Sequence, residues 1–266
     1  MIVEFIGCTG AGKTTLIEDV KRNLSSKAQV AVSFDLVAEQ VGVRGLKSRT
    51  AKNFIAEIVG FPFFVRSLNQ HWKFLTYNWR MLRRHYGLSF KMINYLRSLE
   101  RKIGLFEVIK RGNPDQIILS DEGTILSAHN LFVFTHKNYP PEEVARFASL
   151  APLPDKVVYV KVPVNTLVQR TLSRPDAPRE MKSKEPLLIE KHMRRAAAMF
   201  EQLIETENIF SRLLVVESCG FNDREYLPMI DRIADFILEK KTSHSQTKES
   251  SRSYPYPSKI SEPNRL

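Results

Sequence analysis

The 266-residue chain is 43% apolar and 26% charged, enough apolar material for a substantial core, which excludes a collagen-like, coiled-coil or mostly disordered chain. No apolar run approaches the roughly 18 residues that a membrane-spanning helix needs, and two cysteines, Cys8 and Cys219, are too few for a disulfide framework or a complete metal-ligand set. Forty Lys and Arg against 29 Asp and Glu give a net charge of +11, which favours anionic partners. Residues 60–111 hold most of the excess, with eleven basic residues against Glu100 and Glu107.

Ile2 to Ile6 reads as a buried strand. It lacks a basic n-region and a cleavage site, so the expectation is a chain that stays in the cytoplasm. A glycine-rich turn, Gly7-Cys8-Thr9-Gly10-Ala11-Gly12, leads into a helical pattern from Lys13 to Leu24. Gln29 to Phe34 reads as a second strand, and Asp35 to Lys52 as a loop or irregular helix. From Phe54 to about Arg111, apolar residues at three- and four-residue spacings among Arg and Lys predict two or three amphipathic helices, with Pro62 and Gly87 as the breaks. Gln116 to Ser120 is a third strand, Pro140-Pro141 opens a helix, and Lys156 to Val162 is a strand of the buried parallel type. Val164 to Leu172 and Pro186 to Asn208 are helical, separated by a charged, Pro-containing loop. Leu213 to Glu217 is the last strand, Arg224 to Lys241 the last helix, and residues 242–266 lack periodicity and read as a disordered tail. Strands alternating with helices predict a three-layer α/β/α sandwich around a mostly parallel five-stranded sheet, with its site at the carboxyl ends of the strands.

Gly7 to Thr14 matches G-x-x-x-x-G-K-[ST] at every fixed position and lies between a strand and a helix, as the mechanism of a phosphate-binding loop requires. The expected nucleotide contacts are Gly7, Cys8, Thr9, Gly10, Ala11, Gly12, Lys13, Thr14 and Thr15, with backbone N–H groups and the helix N-terminus facing phosphate oxygens. Lys13 is expected at the β and γ phosphates of ATP, Thr14 at Mg²⁺ and Thr15 at the α-phosphate. Asp121 and Glu122 end the third strand, a pattern in which an acidic residue meets Mg²⁺ beside the nucleotide. Asp121 is the expected metal-side residue; Glu122 suits either proton acceptance from an attacking hydroxyl or a hydrogen bond to the acceptor. Arg170, Arg174 and Arg179 bracket the loop 173–179, where guanidinium groups can close over phosphates and stabilise transferring charge. The six histidines have no ligand spacing. Trp72, Tyr77, Trp79, Tyr86 and Phe90 lie within the basic segment, and their helical spacing reads mainly as packing.

Together these residues resemble the P-loop nucleoside and nucleotide kinase family, most closely its thymidylate-kinase-like branch. The likeness rests on Gly7 to Thr15, the strand ending at Asp121, the lid-like stretch from Arg170 to Arg179 (about 170–186) and Glu217-Ser218-Cys219-Gly220 after the last strand. It spans roughly residues 1–240 in order of elements and implies a kinase domain over 1–241. The resemblance further implies that Ser218, Cys219 and Gly220 lie against adenine, and that the helical region of about 54–112 faces the phosphoryl acceptor. Asp121-Glu122-Gly123 departs from the Asp-Arg-aromatic of thymidylate kinases and the Glu-Arg-Ser of deoxynucleoside kinases, so the arginine of those motifs is missing. The reading is therefore a Mg²⁺-ATP-dependent transfer of the γ-phosphoryl group to a small acceptor, a nucleoside or nucleoside monophosphate leading. An ATPase, or a nucleic-acid-binding or polynucleotide-kinase-like protein using the basic segment, is the alternative. Peripheral contact with an anionic membrane and assembly as a homodimer are both compatible with the sequence.

Overall fold

The computed structural model describes residues 1–40, 42–43, 49–112, 115–133, 139–173, 185–218 and 223–239. Arg174, Arg179, Cys219, Gly220 and the expected tail lie outside the described residues.

The chain runs β1 (Ile2–Ile6), α1 (Lys13–Leu24), β2 (Val30–Val32), α2 (Ser33–Gln40), α3 (Arg49–Tyr86), α4 (Phe90–Gly112), β3 (Ile117–Ser120), a π-helical turn (His129–Val133), α5 (Pro141–Leu150), β4 (Lys156–Lys161), α6 (Val164–Leu172), α7 (Pro186–Ile204), α8 (Glu207–Phe210), β5 (Leu213–Glu217) and α9 (Asp223–Leu238). All five strands pair in parallel in the order β2-β3-β1-β4-β5. The central strand β1 is buried along its whole length because helices cover both faces of the sheet. Alternation sends Val3 and Phe5 into the larger core with Phe74, Phe147 and Phe200, and Ile2 into a smaller one with Leu36, Val37, Leu105 and Ile118. Glu4 shares the face of Ile2 and is almost fully buried.

Two expectations are corrected between β1 and β3. The second strand is only Val30–Val32, shorter than the expected Gln29 to Phe34, and the chain turns at Ser33 straight into α2, a regular helix over the start of the stretch expected as a loop or irregular helix. The buried Leu36, Val37 and Ala38 give this short helix an apolar side to seat. Pro62 does not break the next helix, since α3 runs uninterrupted for 38 residues. Proline removes the hydrogen bond to the carbonyl four residues earlier. Here both Pro62 and Ile58 are exposed, so water can satisfy that carbonyl. Gly87, with φ of 59°, does end α3 and starts the turn into α4.

The α3–α4 hairpin is joined at backbone contact distance, where a Cβ added to Gly104 would lie 2.5 Å from the carbonyl oxygen of Gly60. Further along, buried His71 pairs with Glu107 at 2.9 Å, Glu107 also receives Arg111 at 3.0 Å, and Arg97 forks onto Glu57 with its shortest contact at 2.7 Å. Because the obstacle at Gly104 is backbone, it cannot rotate aside. Gly104→Ala is expected to destabilise the protein by about 1–3 kcal/mol in urea unfolding, and an unchanged midpoint would show that the helices can separate at no cost.

Candidate functional site

The loop leaving β1 turns through Gly10 and Gly12, both at φ of 86°, a left-handed conformation that L side chains resist. Gly12 caps α1, whose first helical bond runs from the Leu16 N–H to the Gly12 carbonyl at 3.0 Å. The Lys13 ammonium donates to the carbonyls of Gly7 at 2.8 Å and Cys8 at 3.0 Å, so its charge lies over the loop. Across the crevice the Thr14 hydroxyl donates to Asp121 Oδ2 at 3.0 Å, which ties the start of α1 to the end of β3. Between them opens a cavity of about 480 Å³ lined by the loop, Thr14, Thr15, Asp121 and Glu122, and closed on the far side by Asn53, Ser98, Arg101 and Lys102 of the helical hairpin.

Most of the expected residues therefore meet in one place. Gly7, Thr9, Gly10, Ala11, Gly12, Lys13, Thr14, Thr15, Asp121 and Glu122 all line the cavity. Cys8 does not. Its side chain is buried in the larger core, and burial pushes the thiol up to about 12, so it is an inert packing group rather than a nucleophile. Arg170, in the last turn of α6, reaches the loop from the other side and donates to the Gly10 carbonyl at 3.3 Å. Ser218 lies away from the cavity wall, buried after β5, with its N–H on the Lys161 carbonyl at 2.8 Å. Arg174, Arg179, Cys219 and Gly220 fall outside the described residues.

Sequence reasoning passed over two residues at the floor of the site. Glu4 accepts the N–H groups of Leu126 at 2.9 Å and Ile125 at 3.3 Å. Its burial pushes the carboxyl up to about 7, against the pull of those N–H groups and of the Lys102 charge. Lys102 is itself buried; desolvation depresses its ammonium, while Glu122, Glu4 and Asp121 act to keep it charged. A lysine among other basic helix residues carries no signal of this, but a carboxylate in the middle of an apolar strand does. Gly123 completes the arrangement, because a Cβ there would fall 2.2 Å from the Glu4 carboxylate. The glycine at 123 thus has a local cause: the turn passes directly over Glu4.

His129 contributes no charge here. His129 borders the cavity, stacked edge-on to His192 with ring centroids 5.8 Å apart, and burial followed by His192 holds it down to about 3. Among the described residues no group of three His, Cys, Asp or Glu is placed to hold a metal ion. The pair Thr14 hydroxyl and Asp121 carboxylate is nonetheless a set of hard oxygen donors, the kind that holds Mg²⁺ together with water and phosphate oxygens.

The strand order, with a left-handed glycine loop closing onto a helix at the carboxyl end of the central strand, defines a parallel P-loop α/β fold. No family model matches the chain, and no curated protein matches its sequence. Solved structures that resemble it include shikimate kinase from Acinetobacter baumannii in complex with shikimate, at 16% identity and a TM-score of 0.43 over 90% of this chain and 95% of that one. Deoxyadenosine kinase from M. mycoides with bound dATP is similar at 13% identity and a TM-score of 0.46, covering 88% of this chain and 99% of that one.

Burial of Glu4 has a thermodynamic consequence. Its folded value, about 7, lies above the ordinary 4.5, so the folded state holds a proton that the unfolded state has released. Stability present below about pH 4.5 is therefore lost as pH rises towards about 7, by roughly 3 kcal/mol for this group. Glu4→Gln keeps an oxygen for the N–H groups and cannot titrate, so its unfolding free energy should be flatter over that interval; parallel curves for the two proteins would refute the assignment.

Proposed function

We propose that the chain is a Mg²⁺-ATP-dependent phosphotransferase that moves the γ-phosphoryl group of ATP to a small acceptor. The observation that carries this reading is the 3.0 Å bond from Thr14 to Asp121, set in a cavity with the glycine loop on one wall and two helical cations, Arg101 and Lys102, on the other. In this reading the loop N–H groups and Lys13 hold the triphosphate, and Thr14 and Asp121 hold the metal. Bound Mg²⁺ supplies neutralisation of phosphate charge. Arg170, anchored on Gly10, orients the loop and faces the phosphates from the α6 side. Glu122 accepts the proton of the attacking hydroxyl or positions that hydroxyl. Arg174 and Arg179 keep their proposed part in closing over the nucleotide, and Ser218, Cys219 and Gly220 their part at its base. The chemistry is then positioning and charge compensation rather than covalent catalysis.

Lys102 takes the place of the arginine that related kinases carry after the third strand. It enters from α4, and its surroundings of Glu4, Glu122 and Asp121 keep the ammonium fixed at the junction of nucleotide and acceptor. Arg101 beside it, and the unpartnered buried Oδ1 of Asn53, make the acceptor end of the cavity both cationic and hydrogen-bonding. That combination suits an acceptor bearing a phosphate as well as hydroxyl groups, and among the candidates it favours a nucleoside monophosphate over a nucleoside.

The test is Mg²⁺-dependent ADP release by the purified chain against nucleosides, nucleoside monophosphates, hydroxy acids such as shikimate, and a short single-stranded oligonucleotide. Acceptor-dependent release is expected, absent in Lys13→Ala and lowered by about 10²-fold or more in Asp121→Asn with nucleotide binding largely kept. Lys102→Met is expected to lower turnover by about 10-fold or more while the protein stays folded. Acceptor-independent hydrolysis would replace the kinase reading with an ATPase.

A further inference from the structure

Helix α3 has an outward side that the other described elements leave exposed. Its inward residues, among them Ala56, Ser67, His71, Phe74 and Asn78, are buried where the helix packs on α4 and α5. On the opposite side Phe54, Ile58, Phe61, Val65, Trp72 and Trp79 are all exposed, from 41% for Trp79 to 63% for Trp72. Steps of four, three, four, seven and seven residues keep these six side chains within a strip about 60° wide along the helix. Past the turn at Gly87 the same character continues, with Leu88 at 83%, Phe90 at 77% and Ile93 at 55% exposure. The sequence expectation that the aromatics of this segment pack inward holds for Tyr77 and is overturned for Trp72, Trp79 and Phe90. A contiguous apolar strip of this length on a protein surface marks a binding face.

Cations border it on one side. Arg66, Lys73, Arg80 and Arg84 follow one another along the flank, Arg83 lies within the strip, Lys91 sits at the tip, and all six are exposed. No Asp or Glu occurs between Glu57 and Glu100 in the sequence. The flanking carboxylates are occupied: Glu57, on α3 itself, by the Arg97 fork, and Glu143 of α5 by the Tyr77 hydroxyl. Between α3 and α5 a groove of about 520 Å³ is lined by Trp72, Lys73, Arg80, Arg84 and Arg146, a cationic recess beside the apolar strip.

We propose that the outer face of α3 and the hairpin tip dock onto an anionic lipid bilayer, with the apolar strip entering the interface and the Arg and Lys flank meeting lipid phosphates. Several features select this occupant. Apolar contact with a charged border is how interfacial helices bind, long Arg and Lys stems cover apolar surface while their heads reach headgroups, and Trp favours the boundary between hydrocarbon and water. A second copy of the chain placed on the strip would set two cationic flanks against each other without carboxylates to offset them. Single-stranded nucleic acid would meet the cations, but Ile58, Val65, Leu88 and Ile93 offer no ring for bases to stack upon. No helix among the described residues is long and apolar enough to cross a membrane, so the contact is one of docking rather than insertion across it. The inference is independent of the acceptor assigned above.

Trp72 and Trp79 are the only tryptophans in the chain, so intrinsic fluorescence reads this face directly. The full chain is mixed with phosphatidylcholine vesicles that contain, or lack, about 30 mol % phosphatidylglycerol, and followed by co-sedimentation and tryptophan emission. Sedimentation with the anionic vesicles only, a blue shift of the emission on binding, and weakening by added salt are expected. Lys73→Glu with Arg80→Glu, checked for folding by thermal unfolding, should weaken the binding by about tenfold or more. Absence of sedimentation, or sedimentation with unshifted emission and no effect of the double variant, would overturn the proposal. So would a blue-shifted dimer formed without lipid, which would assign the face to a second copy, or an oligonucleotide that quenches the same tryptophans and blocks the vesicles.

Discussion

A desolvated carboxylate at the centre of the sheet constrains much of what surrounds the site. Glu4 sits on the middle strand of five, where water does not reach, and an acid in that position requires donors, a counter-charge, or a proton. The chain supplies all three in part. Backbone N–H groups of residues 125 and 126 turn inward to it, Lys102 brings a positive charge from α4, and the carboxyl itself holds its proton up to about neutrality. The donors oblige the segment after β3 to fold back over β1, and that fold leaves no room for a side chain at position 123. The counter-charge obliges α4 to lie across the carboxyl ends of β1 and β3, which is where the glycine loop and Asp121 already converge.

Much of this was legible in the residues alone. A strand of apolar residues followed by closely spaced glycines and a lysine has one mechanical reading, and backbone geometry at Gly10 and Gly12 agrees with it. The parallel sheet was legible because its inner strands are apolar on both sides, as Val157 to Val160 illustrate. What escaped was tertiary. Pro62 looks like a stop until its neighbours are known to face water, and Ser33 looks like strand until Leu36 and Val37 are seen to need a helical face. Lys102 and Arg101 read as ordinary solvated helix residues because periodicity assigns a side to a side chain without saying which element covers that side. The aromatics of α3 illustrate the same gap in the opposite direction, since their spacing describes a coherent face but not whether protein lies against it.

The α3–α4 hairpin therefore has two unlike surfaces. Its inner side ends in polar groups at the cavity, with Asn53, Ser98, Arg101 and Lys102 drawn from two helices and brought level by the register that Gly60 and Gly104 set. Its outer side is apolar and cationic and lies largely exposed. The stitching between the helices, from Arg97 and Glu57 on the surface to His71 and Glu107 inside, makes the pair behave as one body.

Continuity of α3 through Pro62 then acquires a further meaning. The helix meets α4 backbone to backbone where Gly60 faces Gly104, about 10 Å along its axis from Asn53 at the cavity wall. Glu57 with Arg97 on one side of that contact, and His71 with Glu107 on the other, pin the two helices together. The cavity wall and the exposed face thus belong to one hydrogen-bonded helix, and the spacing of the two helices where they cross bears directly on the width of the cavity at its acceptor end.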